Sequence, residues 1–170
     1  AGLAAMLTFC ALAATTARVD RQNEYSALML LLLGFLQGVF LASNLGVFYI
    51  FWELMIIPAF LLVGRWGDRK AAIKFFLYTL VGSLAMLLAL VVLSFGGEGV
   101  QDLNYSTLAQ HTFPPHTEAV LMTLFLLGFA VKIPLFPLHG WQVDTYEQSP
   151  APVAAVIAGA MSKAGLYGLL

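Results

Sequence analysis

Residues 45–64 read LGVFYIFWELMIIPAFLLVG, an apolar run with a single charge, Glu53, near its middle. The run has the length a helix needs to cross about 30 Å of hydrocarbon. An acid at that depth costs roughly 2.5–3.5 kcal/mol on insertion scales, so such residues are rare and by default functional. Pro58, five residues on, frees a backbone carbonyl close to the acid. Whether this stretch is a membrane helix or a soluble core helix decides the fold, and composition settles it. The 170 residues are 61% hydrophobic and 10% charged, where soluble domains run at about 45–50% and about 25%. A domain of this size cannot hide so much apolar surface in a core, so lipid is its solvent.

Working outward, further apolar runs lie at about 2–17, 25–43, 72–95, 118–138 and 151–170, with only Ser43 and Asn44 between the second run and the third. Alternating apolar and polar strands are absent, so these are helices and not barrel staves. The expectation is an all-α polytopic membrane protein of about six transmembrane helices. Arg18 and Arg21 lie in the first loop, and Arg65, Arg69 and Lys70 in the third, whereas 43–44 and 96–117 carry no Lys or Arg. By the positive-inside rule the loops at 18–24, 64–70 and 139–150 are cytoplasmic and the other two face outward. Six alternating crossings satisfy that pattern. A net charge of −1 points to no nucleic-acid partner, and a single cysteine, Cys10, excludes an internal disulfide and a cysteine-ligated metal or iron–sulfur site. The opening lacks Met and a basic n-region, so it is not a signal peptide. It and the close at SKAGLYGLL, inside an apolar run, are expected to be cut points in a longer protein.

Two bases accompany the acid. Lys132 lies in GFAVKIPLFPLHGW, where Pro134 and Pro137 oppose a regular helical ladder. The fifth run is therefore expected to break into two half-helices, with freed carbonyls and a hydrated pocket near 132–136. Lys163 sits near mid-depth among Gly159, Ala160, Ser162, Ala164 and Gly165, small residues that let helices approach closely. His139 follows the break and can relay protons near neutral pH. Asp144 and Glu147, with Tyr146, fall in the next loop and could guide proton entry, although a solvated loop is the preferred reading. His111 and His116 belong to the external loop at a spacing that is no metal motif, and no metal site is expected. Lys74 is expected to snorkel to the cytoplasmic interface. The aromatics of GVFYIFW read as packing and interfacial belt. Glu53 and Lys132 are expected within ion-pair reach, each partnering a charge that is costly alone. Lys132 and Lys163 are expected side by side, with His139 in the bridge between them, so that repulsion helps hand a proton from the first to the second.

FWELMIIPAFLLVGRWG, KFFLYTLVGSLAMLLAL, KIPLFPLHGWQVD and SKAGLYGLL together resemble the antiporter-like proton-translocating subunits of respiratory complex I. Mrp-type cation/proton antiporter subunits share the same core. The resemblance implies two inverted five-helix repeats, each with one broken helix. Residues 1–24 would be an extra helix and cytoplasmic loop, and 25–170 the first repeat. It makes Glu53 the acid of the fifth helix, Lys132 the lysine beside the seventh-helix break, and Lys163 the lysine of the eighth. His139 matches the start of the family's PLHTWLPDAH segment, written here PLHGWQVDTYEQ. Gly140 replaces Thr, Val143 replaces Pro, and Tyr146 stands at the second histidine, so the resemblance carries no relay role over to that position. The implied function is proton translocation through a Glu/Lys/His relay in NADH:quinone oxidoreductase. This chain would carry no redox centre; NADH, FMN, iron–sulfur clusters and quinone would be handled by partner subunits. Its partners would be other membrane subunits of complex I and the lipid of a bacterial cytoplasmic or an organellar membrane. An Mrp-type Na⁺/H⁺ antiporter subunit is the alternative, and a structural membrane scaffold the third reading.

Overall fold

The computed structural model describes residues 1–15, 19–95 and 102–169; Arg18 and residues 96–101 of the long loop, used above for orientation, lie outside them. Every regular element among the described residues is helical: α1 Gly2–Ala14, α2 Gln22–Leu41, α3 Leu45–Leu54, α4 Ile56–Trp66, α5 Arg69–Phe95, the single turn α6 Tyr105–Leu108, α7 Pro115–Lys132, α8 Gly140–Gln148, α9 Ala151–Val156, a π turn Ile157–Met161, and α10 Ser162–Gly168. Three stretches are long and apolar enough to cross a membrane: α2, the joined pair α3–α4 over Leu45–Trp66, and α5. The chain is an integral membrane protein.

Local chemistry explains the boundaries. The Asn44 side chain accepts hydrogen bonds from the backbone N–H groups of Gly46 (2.9 Å) and Val47 (3.2 Å), capping α3 where only two residues separate it from α2. Pro58 lacks the N–H that the Leu54 carbonyl would accept in a regular helix, and the joint between α3 and α4 falls there, at Met55. The Asp68 carboxylate accepts from Ala71 N–H at 2.9 Å and opens α5. That helix is apolar all round, as a lipid-solvated helix is: Val81, Leu84 and Leu88 point outward while Gly82, Ser83 and Met86 are buried.

Close packing is made by glycines at one crossing. A Cβ on Gly82 would stand 2.8 Å from the Val131 Cβ, and Gly128 meets the Gly82 carbonyl and Met86, so α5 and α7 run almost backbone to backbone. The two ends of the bundle differ in character. At one, Arg65 pairs with Glu24, the Trp66 indole donates to the Asp20 carbonyl (2.8 Å), and Lys74 reaches Asp144 at 2.6 Å. At the other, Leu45 N–H donates to the Leu103 carbonyl (2.9 Å) and the Asn44 amide to the Asn104 side chain (3.2 Å). The loops that the basic residues assign to one face do gather at one end.

Two expectations need correction. Residues 139–150 are not a solvated loop: 140–148 form α8, which buries Trp141 and Thr145 and is tied to α5 through the Lys74–Asp144 pair. Asp144 therefore has an ion-pair partner, while Glu147 is exposed on the same helix. Of the two readings of the α3 aromatics, packing holds for Phe48 and Trp52, which lie in the core, and the interfacial belt does not apply to these two.

Candidate functional site

The helix carrying Lys132 ends on that residue, for a traceable reason. Pro134 has no N–H for the Ala130 carbonyl, and Leu135 supplies one instead (2.9 Å), reaching back five residues. The Val131 carbonyl, which Leu135 would have served, accepts the Trp141 indole N–H of α8 at 3.0 Å. The ladder breaks at the two prolines, as expected, and the break is closed by α8, which lies beyond the run in which the second half-helix was expected. Pro137, inside the break, withholds another donor.

Lys132 is only 2% exposed. Its Nζ lies over the Trp52 ring, 5.0 Å from the centroid, and has no hydrogen-bond partner. The ring is fixed by stacking on Phe48 (5.4 Å) and by the edge of Phe129 (5.6 Å). Glu53, the next residue, is half-buried with Oε1 unpartnered, and Tyr49, one turn earlier, sits against it and Ser83 of α5. The expected Glu53–Lys132 ion pair is not made within 4.0 Å: the carboxylate's field reaches the lysine, but the ammonium is seated on the neighbouring ring. Adjacent helix residues point about 100° apart, so α3 presents Trp52 and Glu53 in different directions. This aromatic seat is the element of the site that the sequence did not disclose.

His139 lies at the end of the break, half-buried, with Nδ1 unpartnered and its ring 5.7 Å from Phe136. Lys163 is exposed, lining a cavity of about 230 Å³ with Ala4, Phe40, Gly159 and Tyr167. It is the second residue of α10, which follows the π turn, a feature frequent at functional sites. The side-by-side placement with Lys132 is not found; one lysine is enclosed and the other is turned outward. α10 nevertheless packs on the break, for a Cβ on Gly165 would stand 2.7 Å from Ile133 Cγ1. At the opposite end a cavity of about 410 Å³, lined by Phe48, Phe129, Tyr105 and Tyr167, abuts the aromatics that hold Trp52. Burial, and then Tyr167, push Tyr105 there up to about 12, so its hydroxyl keeps its proton.

A polytopic helical membrane domain with an enclosed lysine at a broken helix and a half-buried acid beside it is a defined class. The chain belongs to the NADH:quinone oxidoreductase/Mrp antiporter transmembrane family, whose model matches residues 42–170. It is 40% identical over 154 residues to NADH-quinone oxidoreductase subunit M of Pseudomonas aeruginosa, covering 84% of this chain and 30% of that one. Among solved structures it is similar to a chain of respiratory complex I from Thermus thermophilus (TM-score 0.79, 34% identity, 99% of this chain and 37% of that one). It is similar also to a chain of the Mrp complex from Dietzia sp. (TM-score 0.83, 25% identity, 99% and 19%). The chain spans about a third of the length of the curated relatives it matches.

Proposed function

We propose that this chain is the first repeat of an antiporter-like subunit of NADH:quinone oxidoreductase, moving protons through Glu53, Lys132, His139 and Lys163. Asp144 and Glu147 stand at the entry face. The carrying observation is Lys132: a base enclosed in the bundle, at a helix break, with no hydrogen-bond partner. A charge kept in hydrocarbon without a partner is costly, which supports a role in which it gains and loses a proton. The same fact argues against a scaffold, in which Glu53 and Lys132 would pair with each other; neither Glu53 Oε1 nor Lys132 Nζ is hydrogen-bonded.

The relatives named as quinone oxidoreductase subunits support coupling to redox chemistry held elsewhere. In this reading NADH, FMN, iron–sulfur clusters and quinone belong to partner subunits, and this chain has no redox centre. Other membrane subunits of that complex surround it in a bacterial cytoplasmic membrane, with the Arg65–Lys70 and α8 end facing the cytoplasm. The similarity to a chain of an Mrp complex sustains the second reading, a Na⁺/H⁺ antiporter subunit driven by ion gradients. One experiment tests the proposal. The full-length subunit carrying Lys132→Met is assembled with its partners in proteoliposomes, and ΔpH formation driven by NADH and quinone is measured. Loss of ΔpH in an assembled complex is expected. Wild-type ΔpH would overturn the relay, and co-purification with antiporter subunits alone would favour the second reading.

A further inference from the structure

We propose that Trp52 is a positioning residue that seats the protonated Lys132 on its ring, so that the lysine's charge passes between this aromatic face and Glu53 during transport. The inference rests on the relay reading of Lys132. Three observations carry it. The ammonium lies over the ring at 5.0 Å although an acid is the very next residue of α3. The ring is 1% exposed, so little water competes with it for the cation, which is the condition under which a cation over an aromatic face is held best. Phe48 and Phe129 clamp the ring from two sides and give it little freedom to move with the lysine.

The two alternative partners differ chemically. A carboxylate can accept the lysine's proton or lock it in an ion pair. An aromatic face stabilises only the charged form and offers no lone pair of comparable basicity. Seated on Trp52, Lys132 therefore keeps its proton without surrendering it to the ring, and that proton stays available to the next acceptor. Moving toward Glu53 needs a swing of a flexible four-carbon stem. The joint at Met55, shortly after the acid, lets α3 adjust while α4 stays anchored by the Arg65–Glu24 and Trp66–Asp20 contacts. The titratable groups placed at this seat are Glu53 of α3, whose charge reaches the lysine, and Tyr49 of the same helix against Glu53; Tyr78 of α5 stands beside Gly140, His139 lies in the break against Phe136, and Lys163 of α10 is exposed.

The test is the pH profile of ΔpH formation per turnover by the assembled, full-length complex with Trp52→Leu, Trp52→Phe and Lys132→Met. Removing the π face withdraws support from the charged lysine, so its proton is lost at lower pH and the alkaline limb of the profile moves down. A shift of about one pH unit is expected for Trp52→Leu, corresponding to about a tenfold change in proton affinity. Trp52→Phe, whose ring is a weaker cation acceptor, should shift by less. A tryptophan that merely fills space would lower the yield of assembled complex and leave the limb where it is. If Trp52→Leu does not assemble, Trp52→Phe decides. A profile for the assembled variant that superimposes on wild type overturns the seat. Should Lys132→Met pump like wild type, it is the relay reading that fails; should Lys132→Met stop pumping while the tryptophan variants superimpose, only the seat is wrong.

Discussion

At Glu53 a half-buried carboxylate stands one residue from an aromatic ring that already holds the nearest cation. Its oxygen at Oε1 is unpartnered, and shortening the side chain keeps the charge while moving it by one methylene. Glu53→Ala should nearly abolish coupled translocation and Glu53→Asp should retain part of it, read as ΔpH against electron flow in the assembled complex. Full translocation by Glu53→Ala would remove the acid from the pathway. Lys163 invites a sharper comparison, since a guanidinium keeps the charge and does not release the proton. Lys163→Arg should therefore fail as Lys163→Ala does, whereas His139→Ala should be milder because water can replace an imidazole; equality of Lys163→Arg with wild type would mean that a fixed charge suffices. The three charges were legible in the sequence because a charge inside an apolar run has no cheap explanation. The seat was not, because a tryptophan among Phe48, Tyr49, Ile50 and Phe51 carries no mark distinguishing a ring that packs from a ring that holds an ammonium. The expected ion pair failed for the same reason: two acceptors were available to Lys132, and sequence registers only the charged one.

The broken helix was readable from Pro134 and Pro137, since proline withholds a backbone donor wherever it stands. What closes the break was not, because the partner of the Val131 carbonyl comes from ten residues later. Trp141→Phe keeps an aromatic ring in place and removes that donor, leaving a buried carbonyl unpaired. The expected cost is about 1–3 kcal/mol, measurable as a lower thermal midpoint in detergent; an unchanged midpoint would show that water replaces the indole. Helix α8 escaped recognition because GWQVDTYEQ has the polarity of a loop, and only its docking through Trp141, Thr145 and the Lys74–Asp144 pair makes it an element. The π turn at Ile157–Met161 has no compositional signature either. It holds one residue more than an α turn would, which rotates α10 by about 100° relative to α9. Val153 and Val156 can then stay buried while Lys163 faces outward.

Across the molecule, polar contacts collect at the two ends. Arg65, Glu24, Lys74 and Asp144 meet at one; Asn44 and Asn104 meet at the other. The pattern of basic residues in the sequence anticipated that grouping, because each crossing must carry the chain to the opposite end. In a Cys10→Ser background, Lys70→Cys and Ser106→Cys are expected to react with a membrane-impermeant thiol reagent from opposite sides of the membrane, Lys70→Cys from the cytoplasm. Labelling of both from one side would refute the arrangement. The seat of Lys132 also bears on how such a chain is made. While α7 is leaving the ribosome its lysine is a liability to insertion, at roughly 2.5–3.5 kcal/mol in lipid, and among the described residues relief comes from α3, which carries both the ring and the acid. That ring lies about eighty positions nearer the N-terminus, so it is already in the bilayer when the lysine arrives. The order of synthesis thus coincides with the order of need, and a gene rearranged to deliver α7 ahead of α3 would present the translocon with an unaccompanied cation.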